Sequence, residues 1–314
     1  MRVLIFGGLG FIGSNLAKRL SEKGYEVYVA HRGVSSGYKE RLASIVGRYA
    51  SLIMYRDPRD PILSIKPNAI YNLVGEYFGS EREIIDANLV FAERLCKALE
   101  SYSDYKLIHI SAATIVGAKG NVIYEEEKHL VGIEPRGVFD ESKAEAERII
   151  ASRIKSWVIV RPVLVYGAYN AHPEWVTLLR TIRRGIAPLI RARVSAIEVG
   201  ELSEILVKAL ELDREYFFAT ECEPYWLSDF VEAISQACGA RSIKIPVPLW
   251  LARMAAPRDL RKHFPFLNKT FSCDKMVMLT GYKPRRMLRK GVEEMVKWIL
   301  EIEMESMGFG LHSG

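Results

Sequence analysis

Apolar and polar residues alternate along the first half of the chain in blocks that predict strands and helices in turn. Residues 3–6 are apolar on both faces, as is typical of a strand buried in a parallel sheet. Residues 14–23 place their apolar side chains at helical spacing, and Gly24 ends that helix. Similar blocks follow, and they predict strands at 26–30, 52–55, 69–74, 107–111 and 157–160 and helices at 40–49, 82–100 and 139–152.

This alternation predicts the α/β class, with a doubly wound parallel Rossmann sheet that binds its ligand at the carboxyl ends of the strands. Beyond Tyr166 the alternation becomes irregular, and we expect helices at 174–184, within 197–212 and at 227–238, with a strand at 215–219 that returns to the sheet. We therefore predict a dinucleotide-binding domain over 1–165, with return segments near 195–220, and a smaller, mostly helical substrate-binding lobe over 166–314.

A glycine-rich turn directly follows the first strand. Its sequence, Gly7-Gly-Leu-Gly10-Phe11-Ile12-Gly13, lies between a strand and a helix, which is the arrangement that cradles a pyrophosphate. Gly7 permits the sharp turn, Gly10 lets the pyrophosphate approach the backbone, and Gly13 allows the helix to pack closely on the strand. The free N–H groups and the positive dipole end of the helix then bind the phosphates. We therefore expect these residues to bind a dinucleotide.

The end of the second strand indicates which dinucleotide is bound. NAD-binding proteins usually have a carboxylate there for the ribose hydroxyls, whereas an arginine suits the extra phosphate of NADP. This strand ends in His31 and Arg32 without an acid, so we favour NADP(H) over NAD(H), with Arg32 as the phosphate partner and His31 as a second one. The alternative is that Arg32 is a solvated surface base. Asp57, after the third strand, either accepts a hydrogen bond from adenine or caps the next turn.

The composition is that of an ordinary soluble globular protein. The 314 residues are 49% hydrophobic and 26% charged, and the net charge of +6 is spread along the chain without a nucleic-acid-binding motif. No transmembrane span, signal peptide or metal site is expected. Cys96, Cys222, Cys238 and Cys273 are far apart in sequence, so we expect neither a zinc site nor a disulfide, and we predict a cytoplasmic location. Gln236, the only glutamine, favours a thermophilic source.

Further short motifs follow the glycine turn along nearly the whole chain. They are Asn72-Leu73-Val74-Gly75, Asn88, Ser142-Lys143, Arg161-Pro162 with Val165-Tyr166-Gly167, and Leu279-Thr-Gly-Tyr282-Lys-Pro284. Together they resemble the extended short-chain dehydrogenase/reductase family, the NAD-dependent epimerases and dehydratases that act on nucleotide sugars. The resemblance implies a homodimer formed through helices 82–100 and 139–152. It also implies cofactor contacts from Leu73, Val74, Gly75, Asn88, Lys143 and Pro162.

In the family that the chain resembles, the chemistry depends on a serine or threonine, a tyrosine and a lysine. The tyrosine exchanges a proton with the substrate hydroxyl, and the lysine lowers the pKa of the tyrosine and holds the nicotinamide ribose. Lys143 matches the lysine, but Phe139 stands at the tyrosine position and Ala112 at the serine position. Neither phenylalanine nor alanine can carry a proton, so we expect the usual reaction to be nearly silent. Lys143 then binds the ribose or, alternatively, is a surface lysine.

Several residues are candidates to replace the missing hydroxyls. The segment 124–128 repeats the Tyr-x-x-x-Lys spacing with Tyr124, but glycine and proline follow it where a helix would be required. Ser111 or Thr114 replaces the serine if the strand end shifts slightly, and both are candidate substrate contacts. Tyr77 or Tyr166 supplies a phenol from elsewhere, although aromatic residues at strand ends more often pack against the core.

Two functions are compatible with these observations. The first is an NAD(P)-binding protein with a degenerate triad and weak or no usual epimerase activity; the 72–75 motif also resembles that of the Rossmann accessory subunit of respiratory complex I. The alternative is an active NAD(P)-dependent epimerase, dehydratase or reductase with a relocated acid or base, in which Arg193 faces the diphosphate of a nucleotide sugar. The apolar stretch 246–257 either docks a partner or, as we favour, belongs to the core of the smaller lobe.

Overall fold

A parallel sheet lies at the centre of the fold. The computed structural model describes residues 1–34 and 37–306. The strands are β1 (Arg2–Phe6), β2 (Glu26–His31), β3 (Ser51–Met54), β4 (Ala69–Asn72), β5 (Lys106–Ile110), β6 (Val122–Ile123), β7 (Trp157–Pro162), β8 (Leu164–Tyr166), β9 (Ile186–Ile190), β10 (Arg193–Val194), β11 (Ala196–Glu198), β12 (Glu215–Ala219), β13 (Tyr225–Trp226), β14 (Ile243–Val247) and β15 (Thr270–Phe271). The α-helices are α1 (Phe11–Glu22), α2 (Gly37–Val46), α3 (Arg59–Ile65), α4 (Glu81–Ile85), α5 (Phe91–Leu99), α6 (Gly137–Arg153), α7 (Pro173–Arg183), α8 (Val199–Lys208), α9 (Leu227–Ala237), α10 (Leu249–Ala255), α11 (Arg258–Arg261), α12 (Asp274–Thr280) and α13 (Leu288–Ser306).

The main sheet has seven strands in the order β12-β7-β5-β4-β1-β2-β3, and all neighbouring pairs are parallel. Strands β1, β2 and β3 follow one another toward one edge of the sheet, and β4, β5, β7 and β12 follow one another toward the other edge. The direction of the strand order therefore reverses between β1 and β4, which pair with each other. In open α/β sheets the ligand binds at such a point, outside the carboxyl ends of the strands. The predicted doubly wound Rossmann sheet is therefore confirmed.

Strand β1 is buried on both faces, as its apolar sequence predicts. Val3 and Ile5 pack into one core with α1 and α8, while Leu4 and Phe6 pack into a second core with α3, α5 and α6. A third core lies among α7, α9 and α13 and includes residues from the C-terminal part of the chain, such as Trp175. Burial on both faces explains why β1 carries no polar residue after Arg2.

The predicted helix over 82–100 is interrupted by a wider turn. Residues Asp86–Val90 form a π-helix between α4 and α5, and Asn88 lies in it. The Asn88 amide accepts a hydrogen bond from the Glu76 N–H (3.1 Å) and donates one to the Glu76 carbonyl (3.0 Å). The π-turn therefore directs Asn88 toward the loop after β4, and π-turns of this kind frequently lie at functional sites.

Two sequence-based expectations about the C-terminal part were wrong. The stretch 246–257 does not contribute to the core, because α10 buries none of its residues, and Trp250 and Met254 are 65% and 66% exposed. Cys222 and Cys273 form a disulfide although 51 positions separate them, because folding brings the loop after β12 next to the start of α12. Separation along the sequence carries no information about such a pairing. Cys96 and Cys238 are free thiols.

Within residues 1–34 and 37–306, no helix has the length and apolar character needed to cross a membrane. The same residues contain no cluster of three or more histidine, cysteine or acidic side chains that could hold a metal ion.

Candidate active site

The glycine turn after β1 is packed too closely to accept side chains at three of its positions, Gly7, Gly8 and Gly13; at Gly8 a Cβ atom would lie 2.6 Å from the Val29 Cγ1. A Cβ atom at Gly13 would lie 2.4 Å from the Gly7 carbonyl oxygen and 2.5 Å from the Gly8 Cα. Gly7 has φ of 81°, and a Cβ there would lie 2.7 Å from the Leu73 backbone. Gly10 differs, because its Cβ would meet only the Gly7 oxygen, at 3.2 Å. The turn is thus pressed against β4 and α1 while Gly10 keeps an open side.

Helix α1 begins at the end of this turn, with Gly10 as its N-cap. A glycine has no side chain that could cap the helix, and the first turn carries no acid. The Ser14 hydroxyl donates to the carbonyl oxygens of Gly10 (2.8 Å) and Gly8 (3.2 Å), which fixes the turn. Gly7, Gly10, Phe11, Ile12 and Gly13 therefore lie together at the carboxyl end of β1, with amides available for an anion. These residues fit the pyrophosphate of a dinucleotide.

The residues expected near the adenosine ribose lie after β2 and β3. Arg32 is exposed at the end of β2, close enough to Tyr55 to oppose the rise in the Tyr55 pKa that burial causes. The His31 Nδ1 accepts a hydrogen bond from the Gly33 N–H (3.3 Å). Asp57 accepts hydrogen bonds from the Arg59 N–H (2.9 Å) and Nε (3.2 Å), and these bonds lower its pKa. Asp57 therefore caps this turn, which was one of its two expected roles; adenine contact stays a prediction.

Lys143 projects from α6 into the crevice beside β4. Its Nζ donates to the Ile110 carbonyl (3.0 Å), and a Cβ added at Gly75 would lie 2.8 Å from that Nζ. The side chain is only 4% exposed, so Lys143 is not a surface lysine. Burial lowers the pKa of Lys143 to about 8, and the nearby Glu147 carboxylate partly opposes this. A lysine placed here is available to a ribose hydroxyl at the sheet edge.

The backbone around the β4 loop is held by its neighbours. The Leu73 N–H donates to the Phe6 carbonyl (2.9 Å), and the Val74 N–H donates to the Asn72 side chain (3.2 Å). Asn88 also donates to the Ser142 hydroxyl (3.2 Å), which links this loop to α6. Leu73, Val74, Gly75, Asn88 and Lys143 are therefore brought together, while Pro162 is buried at the end of β7.

The positions of the missing hydroxyls are occupied by apolar packing. Ala112 is buried in a small cluster with Ile115 and Ala144, against which Phe139 packs. Ser111 is buried, and the Thr114 hydroxyl donates to the Asp140 carboxylate (2.6 Å), whose pKa is raised by burial. The Thr114 hydroxyl is thus already paired with Asp140, and replacement of the serine by Ser111 or Thr114 stays a prediction.

Two of the three candidate tyrosines lie elsewhere. Tyr166 is fully buried and donates to Glu221 (2.9 Å), and burial raises its pKa far above the ordinary value. Tyr124 is 61% exposed, before acidic residues that serve a structural role. Tyr77, in contrast, lies edge-on against Phe139, with ring centroids 4.9 Å apart, and its hydroxyl hydrogen-bonds Nε2 of His263. His263 was not foreseen, because it is 186 positions away and belongs to no local motif.

A buried network of ion pairs centred on Arg161 holds α6 through Glu147. Arg161 is fully buried and donates to both oxygens of Glu147 (2.8 and 2.6 Å) and of Glu126 (2.8 Å each), and His129 contacts Glu147 (2.8 Å). Although burial opposes ionisation of Glu147, the Arg161 guanidinium holds its pKa at about 2. Glu126 belongs to the 124–128 segment, which therefore anchors Arg161 and does not act as a second Tyr-x-x-x-Lys site.

Arg193, the expected diphosphate contact, lies on the short strand β10. The Arg193 guanidinium stacks on the Trp226 ring (5.5 Å to the centroid). The backbone N–H of Arg193 donates a hydrogen bond to the side-chain oxygen of Asn268 (2.9 Å). The side chain is exposed, and none of its described contacts is with the β4 loop or α6. The structure does not bring Arg193 into contact with the other predicted site residues.

The chain is similar to several known proteins in sequence and in fold. The profile of the NAD dependent epimerase/dehydratase family matches residues 3–221. A 4-hydroxy-2-methyl-3-oxo-4-farnesyl-3,4-dihydroquinoline-1-oxide ketoreductase of Stigmatella aurantiaca is 21% identical over 82% of this chain and 79% of its own. The chloroplast stem-loop binding protein of 41 kDa b of Arabidopsis thaliana is 25% identical over 93% and 78%. The crystal structure of UDP-glucuronic acid 4-epimerase from Bacillus cereus in complex with NAD superposes with a TM-score of 0.76 at 18% identity, covering 96% of this chain and 99% of that one.

Proposed function

Because the chain belongs to the NAD-dependent epimerase/dehydratase family, as its motifs had indicated, we propose that it binds NADP(H) at a reaction centre that lacks the usual proton carriers. Members of such families bind the dinucleotide across the carboxyl edge of the sheet. The cofactor supplies or accepts a hydride there, and the protein supplies binding, orientation and proton transfer. The conclusion depends on one observation above all, the close-packed glycine turn at the N-terminus of α1.

Arg32 supports a preference for NADP(H) over NAD(H). It is exposed at the end of β2, where a ribose 2′-phosphate would lie, and the strand end carries no competing carboxylate. Asp57, the nearest expected acid, already accepts two hydrogen bonds from Arg59. A bidentate guanidinium–phosphate contact is a strong, charge-assisted interaction.

The test is a fluorescence titration of NADPH and NADH against the protein and its Arg32→Ala variant. We expect the variant to bind NADPH at least about tenfold more weakly, a loss of roughly 1.4 kcal/mol, with NADH unchanged. Arg82→Ala is the matched control. The Arg82 side chain is 90% exposed on α4, so this substitution removes the same charge away from the predicted site. Equal losses for both nucleotides would refute the preference, and no binding of either would refute the proposed function.

Phe139 and Ala112 support weak or absent epimerisation of nucleotide sugars by the usual route. Proton transfer by a positioned side chain typically contributes about 10²–10⁴-fold to rate. The double variant Phe139→Tyr/Ala112→Ser restores both hydroxyls beside Lys143, so we expect it to gain epimerase activity on UDP- or dTDP-sugars. The control is the cofactor titration, which should not change. An unmodified protein that is as active as the double variant would refute this proposal.

The remaining expectations are part of the same proposal. We propose that a nucleotide sugar or a similar polyol binds between the sheet edge and the C-terminal lobe, with the division near residue 165 as predicted. We also propose that α5 and α6 form a homodimer interface and that the protein functions in the cytoplasm of a thermophile, where intracellular proteins can retain a disulfide such as Cys222–Cys273. Light scattering coupled to gel filtration tests the dimer, for which a mass of twice 35.6 kDa is expected.

A further inference from the structure

Tyr77 packs against Phe139, the residue at the predicted position of the catalytic tyrosine. Its ring meets that of Phe139 edge-on, with centroids 4.9 Å apart and an interplanar angle of 76°. Tyr77 follows Gly75 by two residues, and Gly75 is the residue against which the Lys143 ammonium packs. The tyrosine therefore projects from the β4 loop into the space beside the position that carries the proton in related enzymes. The Tyr77 residue as a whole is half-buried.

The hydroxyl of Tyr77 is positioned by residues of the C-terminal lobe. It hydrogen-bonds Nε2 of His263, and the two rings are 5.2 Å apart. The Lys262 ammonium lies 4.4 Å from the centroid of Tyr77 and 5.1 Å from that of Phe139. Burial, reinforced by Lys262, lowers the pKa of His263 to about 4, so its imidazole is neutral near pH 7. Phenol, imidazole and ammonium thus converge on the replaced position.

We propose that Tyr77 is a relocated proton donor for the reduction of a ketone or aldehyde, and that His263 is the positioning residue that orients its hydroxyl. This inference depends on the proposed function, since bound NADPH supplies the hydride that forms the new C–H bond. The Tyr77 O–H bond breaks, and its proton joins the carbonyl oxygen to give the alcohol. The phenolate that remains keeps the electron pair and recovers a proton from solvent.

The Lys262 ammonium supports a proton donor at this position. It lies 4.4 Å from the centroid of the Tyr77 ring, so the negative charge that develops on the phenol as its proton leaves has a cation beside it. The relocated phenol therefore has the electrostatic support that the reduction of a carbonyl requires.

The first test compares Tyr77→Phe with the wild-type protein in the reduction of 2,2,2-trifluoroacetophenone by NADPH. We expect kcat/KM to fall about 10²-fold or more while the Kd of NADPH stays within twofold. Tyr124→Phe is the matched control, because it removes an exposed phenol outside the site. A second variant, Tyr77→Phe/Phe139→Tyr, returns a hydroxyl to the adjacent ring and should recover part of the rate. Wild-type turnover no faster than that of Tyr77→Phe, including no turnover at all, overturns the proposal.

The second test measures the hydrogen bond between Tyr77 and His263 and does not require catalysis. In protein labelled with ¹⁵N-histidine, two imidazoles, those of His109 and His263, should stay neutral down to about pH 4, and Tyr77→Phe should shift the Nε2 resonance of His263 and not that of His109. His263→Gln keeps a hydrogen-bonding side chain and should retain more activity than His263→Leu, whose pH–rate profile should shift. Unchanged histidine resonances in Tyr77→Phe would overturn the role of His263. Failure of NADPH to bind the wild-type protein would instead refute the proposed function, with the ¹⁵N spectrum still reporting on the pair.

Discussion

Alanine at Gly10 and alanine at Gly13 should separate cofactor binding from stability. At Gly13 the added methyl group would lie 2.4 Å from the Gly7 oxygen and 2.5 Å from the Gly8 Cα, and both are backbone atoms. Neither can rotate away, so the helix must move from the strand. Overpacking of this kind costs about 1–3 kcal/mol. We therefore expect Gly13→Ala to lower the melting temperature of this 314-residue chain by roughly 1.5–5 °C.

The same change at Gly10 meets much less resistance. Its φ of −103° is open to alanine, and the nearest atom to the new Cβ is the Gly7 oxygen at 3.2 Å. The folding cost at this N-cap position should stay below about 1 kcal/mol. The methyl group would, however, stand where the pyrophosphate meets the amides of the turn. A loss of one charge-assisted hydrogen bond, about 2 kcal/mol, weakens binding roughly thirtyfold.

Thermal unfolding and NADPH fluorescence titration, measured on both variants, decide the question. The expected pattern is a destabilised Gly13→Ala and a stable Gly10→Ala that binds NADPH poorly. If Gly10→Ala keeps wild-type affinity, the phosphates do not lie on this turn, and the placement of the cofactor is wrong. If Gly13→Ala keeps the wild-type melting temperature, the close packing of α1 on β1 is wrong.

Three other outcomes follow from the contacts of single residues. The folded-state pKa of Glu147 is lowered from 4.5 to about 2, so the ionised carboxylate stabilises the fold fully above about pH 4.5, and this stabilisation is lost as the pH falls from there toward 2. Between pH 6 and pH 3 the melting temperature of Glu147→Gln should therefore fall less steeply than that of the wild type. Reduction of Cys222–Cys273, which spans 51 positions, should cost up to about 4 kcal/mol, so dithiothreitol should lower the melting temperature of the wild type and of Cys238→Ser but not of Cys222→Ser. Lys143→Met removes a buried ammonium and should not destabilise the cofactor-free protein, yet it should weaken NADPH binding in the same titration.

The local part of this structure was predictable because local physics determines it. Residues 3–6 have no polar side chain, and a strand of that kind is stable only between two layers of helices. The spacing of Gly7, Gly10 and Gly13 requires a tight turn against a helix, and the structure shows that contact directly. Each of these inferences uses residues within about a dozen positions of one another, where sequence spacing fixes spatial proximity.

Contacts between distant segments were not predictable on the same grounds. The disulfide between Cys222 and Cys273 was missed, and so was the exposure of Trp250, because hydrophobicity alone does not say whether another element covers a side chain. The 124–128 segment gave a misleading signal for a related reason. Tyr124 and Lys128 fit the catalytic Tyr-x-x-x-Lys spacing, but Glu126 between them neutralises Arg161, 35 positions away.

Lys143 shows how the local and distant effects combine in the site. The family resemblance predicts that Lys143 is the retained member of an incomplete triad, and the fold shows that its ammonium is buried, with a single carbonyl partner among the described contacts. A buried ammonium with so little compensation is costly, and a neutral side chain of similar length would remove that cost. Glu147, one turn further along α6, offsets part of it but is itself neutralised by Arg161. The missing compensation is what a ribose hydroxyl would provide, and so the setting of Lys143 argues for a bound nucleotide independently of the glycine turn.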